Sequence, residues 1–198
     1  MNTTAEPQQA AEPQSMEVLQ AALPRIEASP KECGSLELIV RRPQVEAREV
    51  LTEAVLDQQT GLAGDTWLQR GSRRRPDGSA DPDAQLTLMN ARVIALVAGR
   101  PDLWPLAGDQ LFVDLDLSID NLPPGTRLSI GDAMIEMTAP PHTGCKKFLR
   151  RFGPDALAFV NSPRGKELRL RGANARILTG GKICVGSPVL KLASRTGG

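Results

Sequence analysis

The sequence predicts a mainly β protein, a barrel or sandwich of short strands with a few short helices. Apolar residues occur in short runs that are separated by the turn residues Gly, Pro, Asn and Asp. One run, residues 133–138, alternates plainly, with Ala, Ile and Met on one face and Met, Glu and Thr on the other. Many short strands with frequent turns indicate a barrel or sandwich rather than a parallel α/β sheet.

The N-terminal region differs from the rest of the chain. Residues 1–14 are rich in Gln, Pro, Ala and Glu, and such a composition cannot offset the entropy lost on folding, which predicts a disordered tail. Ser15 can cap a short helix that follows, and Pro30 limits its length. We assign residues 1–34 to this tail and helix and residues 35–198 to the main domain.

Strand-like runs begin at Leu36 and continue through the main domain. They are residues 36–40, 50–56, 85–89, 110–117, 127–130, 133–138, 167–170, 175–179, 182–185 and 189–192. Gly180-Gly181 separates two of these runs and predicts a hairpin, because a primed two-residue turn needs positive φ angles that glycine adopts without strain.

Helices are in the minority. Asn90 can cap a helix over residues 91–98 that stops at Gly99. A second helix is predicted over residues 145–152, ending at Gly153, and a third from Pro154 through Phe159. The long loop from residue 61 to residue 83 carries Arg70, Arg73, Arg74 and Arg75. Loops longer than about 15 residues in a compact domain are usually functional or disordered.

Composition excludes several classes of function. Lys plus Arg number 24 and Asp plus Glu 23, so no overall field attracts nucleic acid or an anionic membrane. The chain lacks Tyr and is 3% aromatic, which argues against a base-stacking surface. No apolar run approaches the ~20 residues of a membrane span, and no signal-peptide pattern is present. We expect a cytoplasmic protein of one domain, without nucleic-acid or membrane partners.

Cysteine and histidine counts limit the metal chemistry. The three cysteines contain no CxxC pair, which argues against a disulfide framework and a structural zinc site. A single histidine, His142, also excludes a metal cluster built from histidines.

Cys145 is the strongest chemical signal. A strand ends near Ala139, two prolines and Gly144 then form a loop, and the thiol comes where a helix begins. Unpaired N–H groups at a helix N-terminus and nearby basic residues favour thiolate, which could be a nucleophile, a persulfide carrier or a soft metal ligand. The alternative is a small, buried apolar residue, as free cysteines generally are.

The residues around Cys145 are basic. Helical spacing pairs Lys146 with Arg150 and Lys147 with Arg151, and leaves Phe148, Leu149 and Phe152 for the core. An anion at the helix start would satisfy this charge, although a solvated basic face is the alternative. His142 fits a hydrogen-bonding role in the loop, and a general-acid role beside Cys145 remains open.

A third signal is the segment Gly61-Leu62-Ala63-Gly64-Asp65. Two glycines and an aspartate predict a tight turn that could bring backbone amides close to a ligand, although most such turns merely connect strands.

These segments, taken in order, resemble the MOSC family, named for the C-terminal domain of molybdenum-cofactor sulfurases. The resemblance covers roughly Leu36 to Leu192. It rests on residues 61–65, 114–116 with Asn121-Leu122, 128–131, 140–145, and 172–178 followed by Gly186. Ser187 stands where the family ends this last run with Asp.

The resemblance implies a β-barrel related to the pyruvate-kinase barrel domain, with a functional cysteine at Cys145. It makes Cys145 the candidate metal ligand and, with His142, the candidate catalytic residue. The candidate cofactor-binding residues are Lys146, Lys147, Arg150, Arg151, Gly64, Asp65 and Asn121. A pyridoxal-phosphate domain and the N-terminal companion domain of longer molybdenum reductases are not expected in this chain.

Three functional hypotheses follow. The first is a stand-alone MOSC protein that binds molybdenum cofactor through Cys145 and reduces N-hydroxylated small molecules with electrons from a partner protein. The second is a sulfur carrier, in which a cysteine desulfurase loads Cys145 as a persulfide. The third is a binding module whose loop, Arg70 to Arg75, grips an acidic partner or a phosphate-rich ligand.

Overall fold

A computed structural model of the chain describes residues 11–193, and these form a closed seven-stranded β-barrel with short helices. About 31% of these residues are in strands and about 30% in helices. The predicted fold class is therefore confirmed. No helix within residues 11–193 is long and apolar enough to span a bilayer.

Seven strands close the barrel in the order β1-β6-β5-β9-β8-β7-β11, and β11 then pairs with β1. Their bounds are β1 Cys33–Arg41, β5 Leu86–Asn90, β6 Leu111–Asp114, β7 Arg127–Ile130, β8 Ala133–Pro141, β9 Ala173–Thr179 and β11 Pro188–Lys191. The β5–β6 pair is parallel and the other neighbours are antiparallel. Closure pairs both sides of each of these seven strands, and the short β2, Glu49–Leu51, extends from β1.

A second, smaller sheet lies beside the barrel. It contains β3 Glu53–Asp57, β4 Gly61–Leu62 and β10 Gly181–Cys184, in the order β10-β3-β4. The predicted run 50–56 is thus divided at Thr52, where the chain leaves the barrel sheet.

The hairpin predicted at Gly180-Gly181 is wrong. β9 pairs with β5 and β8, whereas β10 pairs with β3, so the two strands belong to different sheets. Both glycines have a different purpose, since a Cβ on Gly180 would lie 2.7 Å from the Leu56 carbonyl oxygen and one on Gly181 2.6 Å from the Asp132 backbone. They permit two close backbone approaches.

The helices are α1 Met16–Ala21, α2 Leu23–Glu27, α3 Trp67–Arg70, α4 Ala91–Ala98, α5 Lys146–Asn161 and α6 Pro163–Glu167, with 3-10 helices η1 Pro82–Ala84 and η2 Pro101–Ala107. Asn90 caps α4 as predicted, accepting from the backbone N–H of Arg92 and Val93, and Gly99 follows the helix at φ 70°. Gly153, at φ 87°, breaks α5 where the sequence predicts one helix to end and another to begin.

The strand predicted over residues 167–170 is absent. The chain there closes the end of α6 instead, with the N–H of Leu168 bonded to the Arg164 carbonyl and that of Leu170 to the Gly165 carbonyl. Arg169 then turns the chain at a positive φ of 49°. Helical carbonyls satisfy these donors, so no strand partner is needed.

Two hydrophobic clusters form the core. One fills the barrel interior, and the other lies between the outer barrel wall and helices α4 and α5. The N-terminal helices join this second cluster through Leu19 and Ile26, which are buried. Residues 11–14, predicted to be disordered, lie against α5 instead. Ala11 is buried there, and its N–H donates to the Arg151 carbonyl. Residues 1–10 of the predicted tail lie outside the described residues.

Candidate functional site

Cys145 lies at the junction predicted from the sequence. β8 ends at Pro141, α5 begins at Lys146, and Cys145 is the N-cap residue between them. The residue is exposed, and its side chain makes no capping hydrogen bond. The alternative of a buried structural cysteine is therefore wrong for Cys145, because its thiol faces solvent at the positive end of a helix dipole.

The segment 140–145, here called the cysteine loop, is held at three points. Asn161, at the end of α5, accepts from the Gly144 N–H at 2.9 Å and donates to the Gly144 carbonyl at 3.3 Å. Asn174 on β9 donates to the Pro140 carbonyl at 2.9 Å. Arg74, from the long loop of residues 61–83, donates to the Pro141 carbonyl at 3.0 Å. The long loop thus reaches the cysteine loop directly.

His142 belongs to a buried ionic network below the cysteine loop. Its Nε2 lies 2.9 Å from Oδ1 of Asp109, and Nη1 of Arg171 lies 2.6 Å from Oδ2 of the same carboxylate. Burial alone would raise the pKa of Asp109, but Arg171 and His142 outweigh it and hold the pKa at about 2. Asp109 is therefore ionised, and Nε2 of His142 is the donor.

The network keeps His142 neutral. Burial lowers its pKa below the usual value, Arg171 lowers it further, and Asp109 opposes both. With Nε2 protonated toward Asp109, Nδ1 is left as an acceptor at neutral pH. This tautomer can accept a hydrogen bond from a ligand and is a weak general acid.

Arg171 links this network to the cysteine helix. Its guanidinium carbon lies 5.0 Å above the ring of Phe148 in the first turn of α5, a cation–π contact. Nη2 donates to the Ala107 carbonyl at 2.9 Å. Nε is buried without a hydrogen-bond partner within residues 11–193. The residue is 5% exposed, so its charge acts from within the protein, next to Asp109 and the Phe148 ring.

The four predicted basic residues of α5 divide into two pairs. Lys147 and Arg151 both pair with Glu46, and Arg151 is 7% exposed and also donates to the Leu106 carbonyl. Lys146 and Arg150 are exposed. Leu149, predicted for the core, is 38% exposed, because the buried stripe of the helix passes through Arg151 instead.

Gly64 and Asp65 build a turn that holds an arginine. Gly64 has φ 78°, and Asp65 is 4% exposed. The Asp65 carboxylate accepts from the backbone N–H, Nε and Nη2 of Arg42 at 2.8–3.0 Å and from the Trp67 N–H at 2.9 Å. Its acceptor positions are therefore occupied by protein groups, and its effect on a ligand would act through Arg42.

Arg42, Arg48 and Arg151 form an arginine cluster. All three lie near Gly108. Arg42 donates to the Gly108 carbonyl, and a Cβ on Gly108 would lie 3.3 Å from Arg48 and 4.0 Å from Arg151. Burial lowers the pKa of Arg48, and the charges of Arg151 and Arg42 lower it further. Nε of Arg48 is buried without a partner among the described residues. The cluster carries more positive charge than Asp65 and Glu46 balance.

Asn121 lies apart from these groups. Its side chain donates to the carbonyls of Lys31 and Asp116 and accepts from Lys191. It borders a separate cavity next to Arg164 and Glu167. Its contacts organise the loop after β6. No residue of the cysteine loop lines that cavity, so the structure does not bring Asn121 together with Cys145 as the resemblance implies.

A cavity of about 350 Å³ opens on the inner side of the cysteine loop. His142 and Thr143 form one wall, and Arg169, Arg171 and Lys166 contribute positive charge. Most of the remaining wall is apolar. Such concave, largely apolar cavities with a few polar groups are typical of small-molecule sites.

Sequence reasoning missed the residues that hold the site together. Asp109, Arg171, Asn161, Arg42 and Glu46 all come from outside the cysteine loop and its helix start. Arg171 directly precedes the Gly172 run, which is the one local signal that could have drawn attention to it.

No group of three or more His, Cys, Asp or Glu side chains within residues 11–193 could bind a metal ion by itself. A metal at Cys145 would therefore need ligands from a second molecule.

Comparison with known proteins supports the fold. No protein-family model matches the chain, and no curated protein matches it. The fold resembles solved structures of YuaD from Bacillus subtilis, with TM-score 0.56, 15% identity, and coverage of 82% of this chain and 97% of that one. It also resembles YiiM from Escherichia coli, with TM-score 0.51, 19% identity, and 82% and 72% coverage. For YiiM from Geobacillus stearothermophilus the TM-score is 0.51, the identity 16%, and the coverage 85% and 77%. These structures, all below 20% identity, show the fold that the chain shares with them.

Proposed function

We propose that this chain, which shares the barrel of YiiM-type MOSC proteins, is a stand-alone MOSC protein that binds molybdenum cofactor through Cys145. The observation that carries the proposal is the exposed thiol at the N-cap of α5, followed by Lys146 in a loop that Arg74 also contacts. A thiolate is the ligand type that a soft metal centre prefers.

The residues present fit such a cofactor. Cys145 would ligate molybdenum, and the cofactor itself would supply the further ligands that the described side chains do not. Lys146 and Arg150, both exposed, would bind its phosphate at the start of α5. The unbalanced positive charge of Arg42, Arg48 and Arg151 would favour an anion nearby.

The reaction we propose is reduction of an N-hydroxylated small molecule. The bound cofactor would pass two electrons from a partner donor protein to the N–OH group, which takes up two protons and yields N–H and water. This chain contributes orientation and hydrogen bonding. Asp109 fixes the tautomer of His142, and the neutral imidazole presents Nδ1 as an acceptor for the N–H or O–H of a substrate.

Metal analysis tests this proposal. The chain is produced in a host that makes molybdenum cofactor, and molybdenum is measured per protein for wild type, Cys145→Ser and Cys33→Ser. Cys33 is the matched control because it is also exposed. We expect molybdenum in wild type and Cys33→Ser and its loss in Cys145→Ser. No molybdenum in wild type, or equal amounts in Cys145→Ser, contradicts the proposal.

A sulfur carrier is the second candidate, and the solvent exposure of Cys145 favours it. A desulfurase must reach the thiol to load a persulfide on it. After incubation with a cysteine desulfurase and cysteine, mass spectrometry should find one added sulfur on Cys145. Sulfur on Cys184 or Cys33 instead would reject this candidate.

A further inference from the structure

The cavity behind the cysteine loop has a charge that its protein neighbours do not balance. Arg169 contributes a half-buried guanidinium, and burial lowers its pKa with no carboxylate opposing this effect. Its Nη1 donates to the carbonyls of Leu117 and Leu122 at 3.4 and 2.7 Å, and these neutral acceptors leave the charge uncompensated. An anion in the cavity would compensate it.

Lys166 adds a second cation at the mouth of the same cavity. It is exposed and forms no ion pair within residues 11–193. Its neighbour Arg164 on α6 pairs instead with Glu27 and Glu167, away from the cavity. On α6, the cavity-lining Lys166 is thus without an ion pair among the described residues, whereas Arg164 is paired.

Arg171 is a third cation that lines the cavity, although Asp109 pairs with it. Arg171 is 5% exposed, and its Nε has no partner among the described residues. The rest of the wall is apolar and includes Ile119 and Val160.

We propose that this cavity binds a small organic anion, a carboxylate on an aromatic or branched apolar body, with the carboxylate toward Arg169 and Lys166. An organic anion fits this cavity better than a bare inorganic anion, because an inorganic ion would leave the apolar walls exposed to water. The volume of about 350 Å³ is at the lower end of the range for small-molecule sites.

For the proposed function, this means that the N-hydroxylated substrate also carries a carboxylate and an apolar body. The binding step stands by itself, and only the reaction that follows it rests on the proposed function. His142 and Thr143 form a wall of the cavity and lie within three residues of Cys145 in the chain. A molecule held here would therefore lie against the loop that carries the thiol.

Binding of 2-naphthoate to the cofactor-free protein tests the inference, with the uncharged isostere 2-naphthamide for comparison. Affinities are measured by calorimetry for wild type, Lys166→Gln, Arg169→Gln and the matched control Arg164→Gln. Naphthoate should bind wild type about tenfold or more tightly than the amide, because a hydrogen bond to a charged group contributes about 1.5–3 kcal/mol. Lys166→Gln and Arg169→Gln should each weaken naphthoate binding about tenfold, and Arg164→Gln should leave it unchanged.

A variant that fills the cavity provides a second test, which does not depend on whether Arg169→Gln folds. Ala139 is exposed and lines the cavity, so Ala139→Trp should fill it and abolish naphthoate binding. Equal affinity for naphthoate and naphthamide, or naphthoate binding that survives both Lys166→Gln and Ala139→Trp, overturns the inference. Because the protein is cofactor-free, such a failure is distinct from failure to find molybdenum in wild type.

Discussion

Among single residues, Cys145 and Cys184 offer the clearest contrast in reactivity. Cys145 is exposed at a helix N-terminus, whereas Cys184 is half-buried at the end of β10. We predict that iodoacetamide alkylates Cys145 faster than Cys184 at neutral pH, because the reagent reaches an exposed thiol more readily than a half-buried one. Quantitative peptide mass spectrometry over a pH series measures both rates.

Charge variants separate the two lysines beside this thiol. Lys147 pairs with Glu46, and Lys146 has no carboxylate partner within residues 11–193. Lys146→Gln should therefore slow alkylation of Cys145 more than Lys147→Gln does. If Cys145 proves inert while Cys184 reacts, the functional assignment of the cysteine is contradicted.

His142 gives a second residue-scale prediction, which is readily measured because it is the one histidine of the sequence. Burial and Arg171 lower its pKa, so its imidazole should titrate below about 6.5 in an NMR pH series. Asp109→Asn should lower the midpoint further, since Asp109 is the group that raises it. A midpoint at or above 6.5 in wild type would contradict the network of His142, Asp109 and Arg171.

The lowered pKa values of His142 and Asp109 also make the folded protein less stable at acidic pH. As pH falls below about 6.5, the unfolded chain binds a proton at His142 before the folded protein does, so the free energy of unfolding decreases. Asp109 has a folded pKa of about 2, and its contribution is therefore lost between about pH 4 and pH 2. His142→Gln should remove the loss of stability that begins below about pH 6.5 and retain the loss between about pH 4 and pH 2. Urea unfolding at each pH measures both.

At the scale of elements, the start of β9 sets the position of the site. Gly172 has φ 115°, and a Cβ there would lie 2.3 Å from the Leu88 carbonyl oxygen and 3.1 Å from the His142 ring. Gly172→Ala should therefore destabilise the protein by about 2–4 kcal/mol and displace His142.

Gly125 is the matched control for this variant. It has φ 90°, and a Cβ there would meet no atom of the described residues within 4 Å. Gly125→Ala should therefore cost only the backbone strain of about 1–2 kcal/mol. Thermal unfolding and the His142 NMR signal measure both effects. Equal losses of stability in the two variants would show that the close approach to β5 is unimportant.

At the scale of the whole molecule, the N-terminal helices are part of the fold. Leu19 is fully buried in the outer core cluster, while its neighbour Val18 is 46% exposed. Leu19→Ala should lower the free energy of unfolding by about 2–5 kcal/mol, and Val18→Ala should change it by about 0.5 kcal/mol or less. Chemical denaturation measures both; a small effect of Leu19→Ala would mean that the segment is a separate appendage.

Local sequence was sufficient to predict the fold class, the helix caps and the place of the thiol. Asn90 and Gly99 bound α4, Gly153 breaks α5, and Cys145 begins it, as predicted. The helix caps and the place of the thiol depend on interactions within a few residues, such as capping bonds and turn geometry. The fold class was indicated by the many short apolar runs separated by turn residues.

Only the tertiary structure decides which strands pair in the barrel and which charged side chains meet below the thiol. Asp109 is separated from His142 by 33 positions and from Arg171 by 62, and nothing in the local pattern pairs them. The same holds for Gly180-Gly181, where local turn chemistry predicts a hairpin but the partner strands come from distant parts of the chain. Strand partners and buried ion pairs are selected by packing of the whole chain, because burial in a shared core, rather than adjacency in sequence, brings these groups together.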